Sequence, residues 1–197
     1  MIYNINVKNK QINQIYKETQ SMDLDAGQTL RDRGFVDYDS CVEHACSEEY
    51  LANKLHNNDI GFHIEHSSNI LIGETPGGEY LLNKFKDILH YDQYYTSGYV
   101  PRGFVGWHSD EDIGGWYLMI TYSPAGAGFF RYRNNITGKI VTLPDTPGWM
   151  TRAVELPSDR DRVFWHCAAA DNNRYTFLLL YKNYDAFESA VNMLGVE

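Results

Sequence analysis

Two histidines and an aspartate have the types and the spacing of a metal site. His108 and Asp110 are two residues apart in Trp107-His108-Ser109-Asp110, and on a strand that continues to Asp110 both side chains would face the same side. His166, which lies 58 residues further along, is the expected third ligand from another strand. Two histidines and one carboxylate form the facial triad that binds Fe(II) and leaves three positions open. Taken alone, a His-x-Asp sequence is more often a surface turn.

A second pair of side chains, Arg174 and Thr176, has the chemistry to hold a carboxylate. The two residues would share one face of a strand that begins eight residues after His166. A guanidinium binds a carboxylate through a two-pronged, charge-assisted fork, and the neighbouring hydroxyl can donate a further hydrogen bond. Beside a facial triad, this pair predicts a site for the distal carboxylate of 2-oxoglutarate, whereas an arginine alone is more often part of a surface ion pair.

Other metal-capable side chains offer weaker alternatives. His63 and Glu65 form a competing His-x-Glu pair, which we expect to be part of a strand lining the cleft. Cys41, His44 and Cys46 lack the second cluster of ligands that a structural zinc site needs. We therefore expect these cysteines to be buried as small apolar residues.

Four tryptophans and two hairpin arginines could also contact a substrate: Trp107, Trp116, Trp149, Trp165, Arg131 and Arg133. We expect the tryptophans to pack between two sheets and the arginines to be solvated surface charges. Cys167 alternates away from His166, so it is also expected to pack in the sandwich.

Short strands joined by turns must position these residues. From Tyr94 onward, β-prone runs are expected to form strands over 94–100, 116–122, 129–133, 139–143, 150–156, 162–169 and 175–182. The loop over 134–138, which ends in a glycine, predicts a hairpin between the third and fourth of these runs. Many short strands at this spacing are typical of a sandwich or a jelly roll.

The N-terminal half shows two helical patterns. Asp39-Ser40 is expected to cap one helix that continues through Leu51. Apolar residues at helical spacing predict a second helix over 80–89, preceded by a turn at Gly77-Gly78 and by an extended segment over 62–71.

Composition and charge bound the class of protein. The 197 residues, of which 43% are hydrophobic, suffice for one domain, with a mixed part over about 1–93, a β core over about 94–183 and a C-terminal segment over about 184–197. A net charge of −9 argues against tight binding to nucleic acid. Three cysteines do not form a disulfide framework, and no apolar run is long enough for a membrane span. We expect a soluble, cytoplasmic protein that does not bind membranes.

Several motifs occur in a particular order: Tyr99, Gly103, His108-x-Asp110, His166 and Arg174-x-Thr176. This order, which spans roughly residues 94–183, resembles that of the Fe(II)/2-oxoglutarate-dependent dioxygenases, and in particular the prolyl-hydroxylase-like branch. The resemblance implies a mostly β fold with some helix, in which N-terminal helices pack on a double-stranded β-helix (jelly-roll) core.

The resemblance also implies roles for six residues: His108, Asp110 and His166 as ligands of Fe(II), and Arg174, Thr176 and Tyr99 as contacts of 2-oxoglutarate. For Tyr99, packing in the core is an open alternative. Because Asp110 stands where a small residue would be needed for halogenation, the implied reaction with O₂ is hydroxylation or demethylation of a C–H bond.

The chain departs from the family pattern in two places. Gly126-Ala127-Gly128-Phe129 stands where a Gly-Gly-Glu motif is common. The interval from His166 to Arg174 is shorter than the more usual one by about two residues, which bears on the subfamily and on the fine geometry of the site.

Two classes of function follow from these residues. The first is an oxygenase that uses Fe(II), 2-oxoglutarate and O₂, and the second is a non-catalytic, cupin-like module that binds a metal or a ligand. The full triad together with Arg174 favours the oxygenase, because a binding module needs no fork for a cosubstrate. By the resemblance, a peptidyl side chain such as proline is the favoured substrate, ahead of a nucleobase or a free small molecule.

Overall fold

Two β-sheets form the centre of the protein, and helices lie along both of their outer faces. The computed structural model describes residues 2–20, 22, 24, 31–33, 38–59, 64–110, 114–156 and 163–195, with the backbone alone for 31–33 and 38–41. The strands are β1 (Ile2–Ile5), β2 (Arg31–Arg33), β3 (Ser67–Asn69), β4 (Gln93–Tyr99), β5 (Phe104–His108), β6 (Gly115–Ser123), β7 (Gly128–Arg133), β8 (Ile140–Pro144), β9 (Gly148–Leu156), β10 (His166–Ala170) and β11 (Arg174–Tyr181). The helices are α1 (Lys10–Glu18), α2 (Tyr38–Ala45), α3 (Glu48–His56), α4 (Pro76–Leu89) and α5 (Tyr184–Gly195), and a 3-10 turn covers Ile72–Glu74.

The strand order is that of a double-stranded β-helix. The five-stranded sheet has the order β1-β9-β6-β11-β4, and the six-stranded sheet has the order β2-β3-β5-β10-β7-β8. From β4 to β11 the chain alternates between the two sheets, except at the β7–β8 hairpin, and neighbouring strands are antiparallel. Eight strands crossing in this way make a jelly roll, which confirms the expected fold class.

Three apolar clusters hold the layers together. The first lies on the outer face of the five-stranded sheet, where α1, α4 and α5 cover it. The second lies between the two sheets. The third lies on the outer face of the six-stranded sheet under α2 and α3. Because both faces of each sheet are covered, the apolar run of β6 is buried at almost every position.

The predicted β7–β8 hairpin is confirmed, and side-chain caps close its loop. The Asn134 side chain accepts hydrogen bonds from the backbone N–H groups of Ile136 and Thr137. Gly138 has φ +68°, a left-handed conformation that glycine adopts without strain. The expected strand over 162–169 is shorter than predicted, because β10 begins only at His166.

The helix expected from Asp39-Ser40 through Leu51 is two helices. The α2 helix ends at Ala45, and Ser47 starts α3 by accepting a hydrogen bond from the N–H of Tyr50 at 3.0 Å. A serine side chain at this position replaces a missing helical partner, so it favours a new helix start over continuation.

Gly77-Gly78 was expected to form a turn, but both residues lie in the first turn of α4. Thr75 caps this helix by accepting a hydrogen bond from the N–H of Gly78 at 3.0 Å, and Pro76 occupies the first helical position. A Cβ at Gly78 would lie 1.7 Å from the carbonyl oxygen of Ile72. The glycine therefore serves the close packing of the 3-10 turn against the helix, which local sequence patterns do not show.

The N-terminal half also supplies strands. β1 pairs with β9 at one edge of the five-stranded sheet, and β2 and β3 extend the six-stranded sheet beyond β5. Of the extended segment expected over 62–71, residues 62 and 63 lie outside the described part, and only Ser67–Asn69 forms a strand. No helix in the described part of the chain is long and apolar enough to cross a membrane.

Candidate metal centre and carboxylate pocket

The pairing of β5 with β10 brings the two candidate histidines together. His108 and His166 are direct partners on these neighbouring strands, and their ring centroids lie 4.1 Å apart. Asp110 completes the group, with carboxylate oxygens 3.8 Å from His108 Nε2 and 3.6 Å from His166 Nε2. All three ligand atoms lie within 4.8 Å of one another, and no other such group of three occurs among the described residues. These three residues could hold a metal ion.

An extra residue in β5 turns His108 towards the interior. Val105 pairs with Ala168 and His108 pairs with His166, so three steps along β5 match two steps along β10. On a regular strand, residues three apart face opposite sides. The bulge restores the alternation, and both Val105 and His108 line the same cavity while Trp107 packs on the outer face.

Gly106 lies inside this bulge, and its small size allows the end of α2 to approach. Its N–H donates to the carbonyl oxygen of His66 at 2.9 Å. A Cβ at this position would lie 3.0 Å from the Cβ of Ala45 and 3.1 Å from the carbonyl oxygen of His66. The position of His108 therefore depends on a contact between distant parts of the chain.

Both imidazole rings are oriented by backbone carbonyl groups. His108 Nδ1 lies 2.8 Å from the carbonyl oxygen of Gly106, and His166 Nδ1 lies 3.1 Å from that of Phe164. If each Nδ1 donates its proton there, each Nε2 keeps its lone pair for a metal. Burial lowers the pKa of His108 to about 4; the neighbouring His166 lowers it as well, against the opposing effects of Asp110 and the Gly106 carbonyl. His108 is thus neutral at pH 7, as a metal ligand must be.

Asp110 reaches the site from a loop. The strand was expected to continue to Asp110, but β5 ends at His108. The carboxylate nevertheless lies near both histidines, and its side chain is one-third exposed. Because Asp110 lies in a loop, its side chain reaches the histidines without following the alternation of side chains along β5.

Arg174 is almost fully buried at the start of β11, and two protein groups already hold its guanidinium. Its Nε donates to Asp145 Oδ2 at 2.7 Å, and its Nη1 donates to Thr176 Oγ1 at 2.7 Å. Its Nη2 has no hydrogen-bond partner among the described residues, although the side chain lines the cavity of the metal group. The guanidinium was expected to bind a carboxylate through two nitrogens, but among the described residues only Nη2 has no protein partner.

Tyr99 belongs to the same end of the cavity. It pairs with Arg174 across β4 and β11, and the guanidinium carbon lies 5.2 Å from its ring centroid. Burial raises the pKa of Tyr99, while Arg174 and Ser97 oppose this shift. The ring therefore packs against Arg174 and keeps its proton, so both roles considered for this residue, core packing and ligand contact, are compatible with its position.

A cavity of about 250 Å³ between the sheets joins the metal group to Arg174. The six-stranded sheet contributes the histidines, and the five-stranded sheet contributes Arg174 and Thr176. Among the described residues that line it, Asp110 is the only acidic residue and Arg174 is the only arginine or lysine. Most of the remaining wall is apolar or aromatic, so polar binding is confined to a few points.

Asp145 is a site residue that the sequence pattern does not indicate. It follows β8 in a turn, and its side chain is fully buried between Arg174 and Arg152. Nothing about Pro144-Asp145-Thr146-Pro147 distinguishes it from an ordinary turn sequence. The only available signal was the pair of prolines, which marks a rigid turn and not a buried charge.

The described residues among the competing metal candidates form no group of three ligands. His63 lies outside the described residues, and the Glu65 carboxylate is bound by Lys54 at 2.6 Å and by the Tyr50 hydroxyl. Cys46 is buried and free, as expected, while the side chain of Cys41 lies outside the description. The ring of His44 contacts those of Tyr50 and His66.

Cys167 and the four tryptophans do not pack between the sheets as expected. Cys167, Trp107 and Trp165 belong to the cluster under α2 and α3, while Trp116 and Trp149 pack against the cluster under α1, α4 and α5. Cys167 does alternate away from His166, but both outer faces are covered by helices and so bury large apolar side chains as well.

Arg131 also points away from the cavity. Its Nη1 donates to the carbonyl oxygen of Cys46 at 2.6 Å and its Nε donates to Thr142 Oγ1 at 2.9 Å. It therefore ties the β7–β8 hairpin to the end of α2 and is not a purely solvated charge. Arg133 lies two residues further along β7, on the same face of the strand.

The strand order and the His-Asp-His group define a double-stranded β-helix protein with a candidate metal centre. No protein-family model matches the sequence, and neither does any curated protein. Among similar solved structures, a Pseudomonas putida prolyl-4-hydroxylase is 12% identical, with a TM-score of 0.37 over 88% of this chain and 100% of that one. The Escherichia coli ribosomal oxygenase YcfD is 19% identical, with a TM-score of 0.36 over 62% of this chain and 33% of that one.

A third similar structure, the Drosophila melanogaster CENP-C cupin domain, is 8% identical, with a TM-score of 0.34 over 60% of this chain and 68% of that one. The similar structures thus include oxygenases and a cupin domain. At these identities and TM-scores the assignment of the fold rests on the strand order, and any functional argument must rest on the site itself.

Proposed function

We propose that the protein is an Fe(II)- and 2-oxoglutarate-dependent oxygenase that hydroxylates or demethylates a C–H bond. The observation that carries this proposal is that the His108, Asp110 and His166 group shares one cavity with Arg174, whose Nη2 has no hydrogen-bond partner among the described residues. A metal-binding module would need the first group only, whereas a chelating cosubstrate with a second carboxylate needs both.

The donor set fits Fe(II). Two neutral imidazole nitrogens and one carboxylate oxygen are the ligands of the facial triad, and they occupy one side of an octahedral ion. Ligand bonds of about 2.1 Å at right angles would put neighbouring ligand atoms about 3 Å apart. The observed separations of 3.6 and 3.8 Å from Asp110 to the two histidines therefore need only a small contraction. When bound, the metal supplies the chemistry of O₂ activation, and the 2-oxo acid supplies two of the electrons.

The chain supplies binding, orientation and exclusion of water. We assign Arg174 and Thr176 to the far carboxylate of 2-oxoglutarate, with Nη2 as a donor. Thr176 accepts from Arg174 at 2.7 Å, so its own hydroxyl proton can point to the ligand or to Thr121, whose oxygen lies 3.3 Å away. Tyr99 packs beside the guanidinium and limits its movement.

The size of the cavity favours a substrate that inserts only a small group. Pockets for drug-sized ligands enclose roughly 300–1,000 Å³, and this cavity of about 250 Å³ must also hold the cosubstrate. We propose a side chain of a peptide or protein, because the remainder of such a substrate can stay outside. The net charge of −9 disfavours a nucleic acid. The free thiols of Cys46 and Cys167 suit the reducing cytoplasm, which we propose as the compartment.

An anaerobic titration tests the proposal directly. Wild-type protein is expected to bind one Fe(II), and 2-oxoglutarate is expected to bind more tightly after the metal than before it. His108→Ala, Asp110→Ala and His166→Ala should each abolish tight Fe(II) binding while keeping the fold, as measured by metal analysis and circular dichroism.

A matched control removes a histidine elsewhere. His90 is exposed at the C-terminal end of α4 and has φ 52°, a conformation that asparagine tolerates. His90→Asn should therefore keep full iron binding. Full iron occupancy in all three triad variants would contradict the assignment of the metal site.

A further inference from the structure

A buried cluster of three charges lies behind the carboxylate pocket. Arg174, Asp145 and Arg152 come from β11, from the turn after β8 and from β9, and their exposed fractions are 1%, 6% and 3%. Two guanidinium groups and one carboxylate leave a net charge of +1 in a place where charges are normally balanced. Burial lowers the pKa of Arg152, Asp145 opposes this shift and Arg174 adds to it, so Asp145 favours the charged form of Arg152.

The carboxylate of Asp145 divides its two oxygens between the arginines. Its Oδ2 accepts a hydrogen bond from Arg174 Nε at 2.7 Å, while its Oδ1 lies 3.8 Å from Arg152 Nη1. The other nitrogens of Arg152 donate to Asn4 Oδ1 at 3.3 Å and to the carbonyl oxygen of Pro144 at 3.1 Å. Two nitrogens of Arg152 are therefore held by other groups, and the short contact of Asp145 is with Arg174.

The position of Asp145 is built into the neighbouring strands. Its N–H donates to the carbonyl oxygen of Gly128 at 2.9 Å. A Cβ at Gly128 would lie 2.6 Å from Asp145 Oδ2 and 2.9 Å from the carbonyl oxygen of Ala169. The Gly126-Ala127-Gly128 sequence, which departs from the family pattern, thus makes room for this carboxylate.

Two hydrogen bonds on different nitrogens fix a planar guanidinium more firmly than one. Asp145 holds Nε and Thr176 holds Nη1, so Arg174 can neither rotate about its long axis nor slide along the cavity without losing a contact. Nη2 is left as the donor at one defined depth. A ligand that is anchored at the metal by one end will match this depth only if its chain has the right length.

We propose that Asp145 is a positioning residue that sets the depth of Arg174 and thereby makes the site select five-carbon 2-oxo diacids over shorter and longer ones. The inference rests on the proposed function, because the selection needs a metal at the other end of the cavity. Asp145 does not touch the ligand; it acts through Arg174.

Chain-length preference measures this role. Protein loaded with Mn(II) is titrated by calorimetry with oxaloacetate, 2-oxoglutarate and 2-oxoadipate, which have four, five and six carbons. Wild type is expected to bind 2-oxoglutarate most tightly. Asp145→Ala frees Nε and should reduce this preference by about tenfold or more, the scale of one hydrogen bond between charged groups. Asp145→Asn keeps an oxygen acceptor in the same place and should retain most of the preference.

Two further variants separate positioning from loss of stability and from loss of charge. Thr151→Val removes the buried hydrogen bond to the Tyr16 hydroxyl on the outer side of β9, so it should destabilise the protein but leave the preference unchanged. Asp145→Ala combined with Arg152→Met keeps the net charge of the cluster at +1 while still freeing Nε. It should lose the preference like the single variant, and it serves as the test if Asp145→Ala alone does not fold.

The outcomes distinguish this inference from the proposed function. A wild-type preference that survives in Asp145→Ala or in the charge-matched double variant overturns the positioning role and leaves the oxygenase proposal standing. An equal loss of preference in Thr151→Val also overturns it, because the effect would then follow stability. A metal-loaded wild type that binds none of the three diacids overturns both.

Discussion

At the scale of single residues, Arg174 serves two purposes with one planar group. Its Nε donates to the buried carboxylate of Asp145, and its Nη2 has no hydrogen-bond partner among the described residues. A buried donor without a partner costs free energy, which a ligand that accepts its hydrogen bond recovers. The same nitrogen therefore lowers the stability of the ligand-free protein and raises its affinity for a ligand. This is the usual relation between stability and function at a preorganised site.

Replacing Arg174 tests this relation. Arg174→Lys keeps a positive charge near Asp145, so the fold should persist, but one ammonium cannot serve Asp145, Thr176 and a ligand with the geometry of a guanidinium. We expect 2-oxoglutarate binding to weaken by roughly 1.5–3 kcal/mol, the scale of hydrogen bonds to charged groups. Calorimetry on Mn(II)-loaded protein measures the change, and the iron ligands provide the control, since metal affinity should stay the same. An unchanged affinity for 2-oxoglutarate would contradict the assignment of Arg174 to the binding of this cosubstrate.

The residues that could be predicted are those whose types reveal their chemistry. His108, Asp110 and His166 have few other uses in this combination, and the structure brings all three together. Asp145 could not be predicted, because its role depends on Arg174, which lies 29 positions away, and on the space that Gly128 leaves. A turn aspartate with a buried partner has the same local sequence as one in solvent.

At the scale of elements, the bulge in β5 determines which side chains enter the cavity. Strands such as β6 and the β7–β8 hairpin could be predicted, since apolar runs and turn residues mark them locally. The bulge could not, because it is a relation between two strands and depends on the pairing of Val105 and His108 with β10. The break between α2 and α3 could not be predicted either. The sequence around Ser47 does not distinguish a serine that starts a new helix from one inside a continuous helix.

Gly106→Ala tests the coupling between the bulge and the metal site. The new Cβ would lie 3.0 Å from the Cβ of Ala45 and 3.1 Å from the carbonyl oxygen of His66, so the end of α2 or the bulge must move. We expect the free energy of unfolding to fall by about 1–3 kcal/mol, as in other overpacked sites, and metal affinity to fall with it because His108 follows two residues later.

Gly195→Ala is the matched control for this change, since among the described residues no heavy atom beyond its chain neighbours and the nearby backbone of its own helix lies within 4 Å of the added Cβ. It should alter the free energy of unfolding by about 0.5 kcal/mol or less. Denaturant unfolding and Fe(II) titration provide the two measurements. A stable Gly106→Ala protein with unchanged metal affinity would show that the bulge tolerates a side chain and does not control His108.

A charged contact joins α3 to the segment that leads into β3. Lys54 Nζ lies 2.6 Å from Glu65 Oε1 and 2.8 Å from Asp59 Oδ2, and Ile64 beside it lines the cavity. The hydrogen bond from Lys54 lowers the pKa of Glu65 below its ordinary value of 4.5, with a further contribution from Tyr50. Because the folded state favours the ionised form, the contact stabilises the protein at neutral pH, and this contribution is lost as the pH falls below about 4.5.

Glu65→Gln should therefore lower the free energy of unfolding at pH 7 and have a smaller effect at pH 3. About half of the Glu65 side chain is exposed, so the coupling with Lys54 should be about 0.5–1 kcal/mol. A double-mutant cycle with Lys54→Met, measured by urea unfolding at both pH values, isolates the pair from the contact with Asp59. Coupling that is as large at pH 3 as at pH 7 would show that packing, and not charge, holds this segment.

At the scale of the whole molecule, the two sheets contribute different residues to the same cavity. The six-stranded sheet carries the candidate metal ligands His108 and His166, and the five-stranded sheet carries Arg174 and Thr176, so the cavity between the sheets brings both pairs within reach of a single ligand. Helices on both outer faces bury the tryptophans there and leave the inner faces to smaller, mostly apolar side chains. The fold class could be predicted from the spacing of the strands, but the covering of both outer faces could not.

Turnover without a substrate distinguishes an oxygenase from a binding module. With Fe(II), O₂ and 2-oxoglutarate, wild type should slowly release succinate, because the open metal site and the carboxylate pocket together hold all that the oxidation of 2-oxoglutarate requires. The rate should be low, since the second half of the reaction needs a positioned C–H bond, and it should rise when a suitable peptide enters the cavity. Mass spectrometry follows succinate, and Asp110→Ala, which removes the carboxylate ligand, should lose most of the release.

The dependence on added substrate then tests the peptide proposal by charge and size. A chain with a net charge of −9 repels polyanions, and a cavity of about 250 Å³ that also holds 2-oxoglutarate admits only a small group. Peptides should therefore raise succinate release, and oligonucleotides should not. If nucleosides raise succinate release and peptides do not, the oxygenase proposal stands and the peptide substrate is rejected. If iron-loaded protein that binds 2-oxoglutarate releases no succinate above the Asp110→Ala background with any of these, the protein is a cupin-like binding module, and its Arg174 pocket holds a ligand without consuming it.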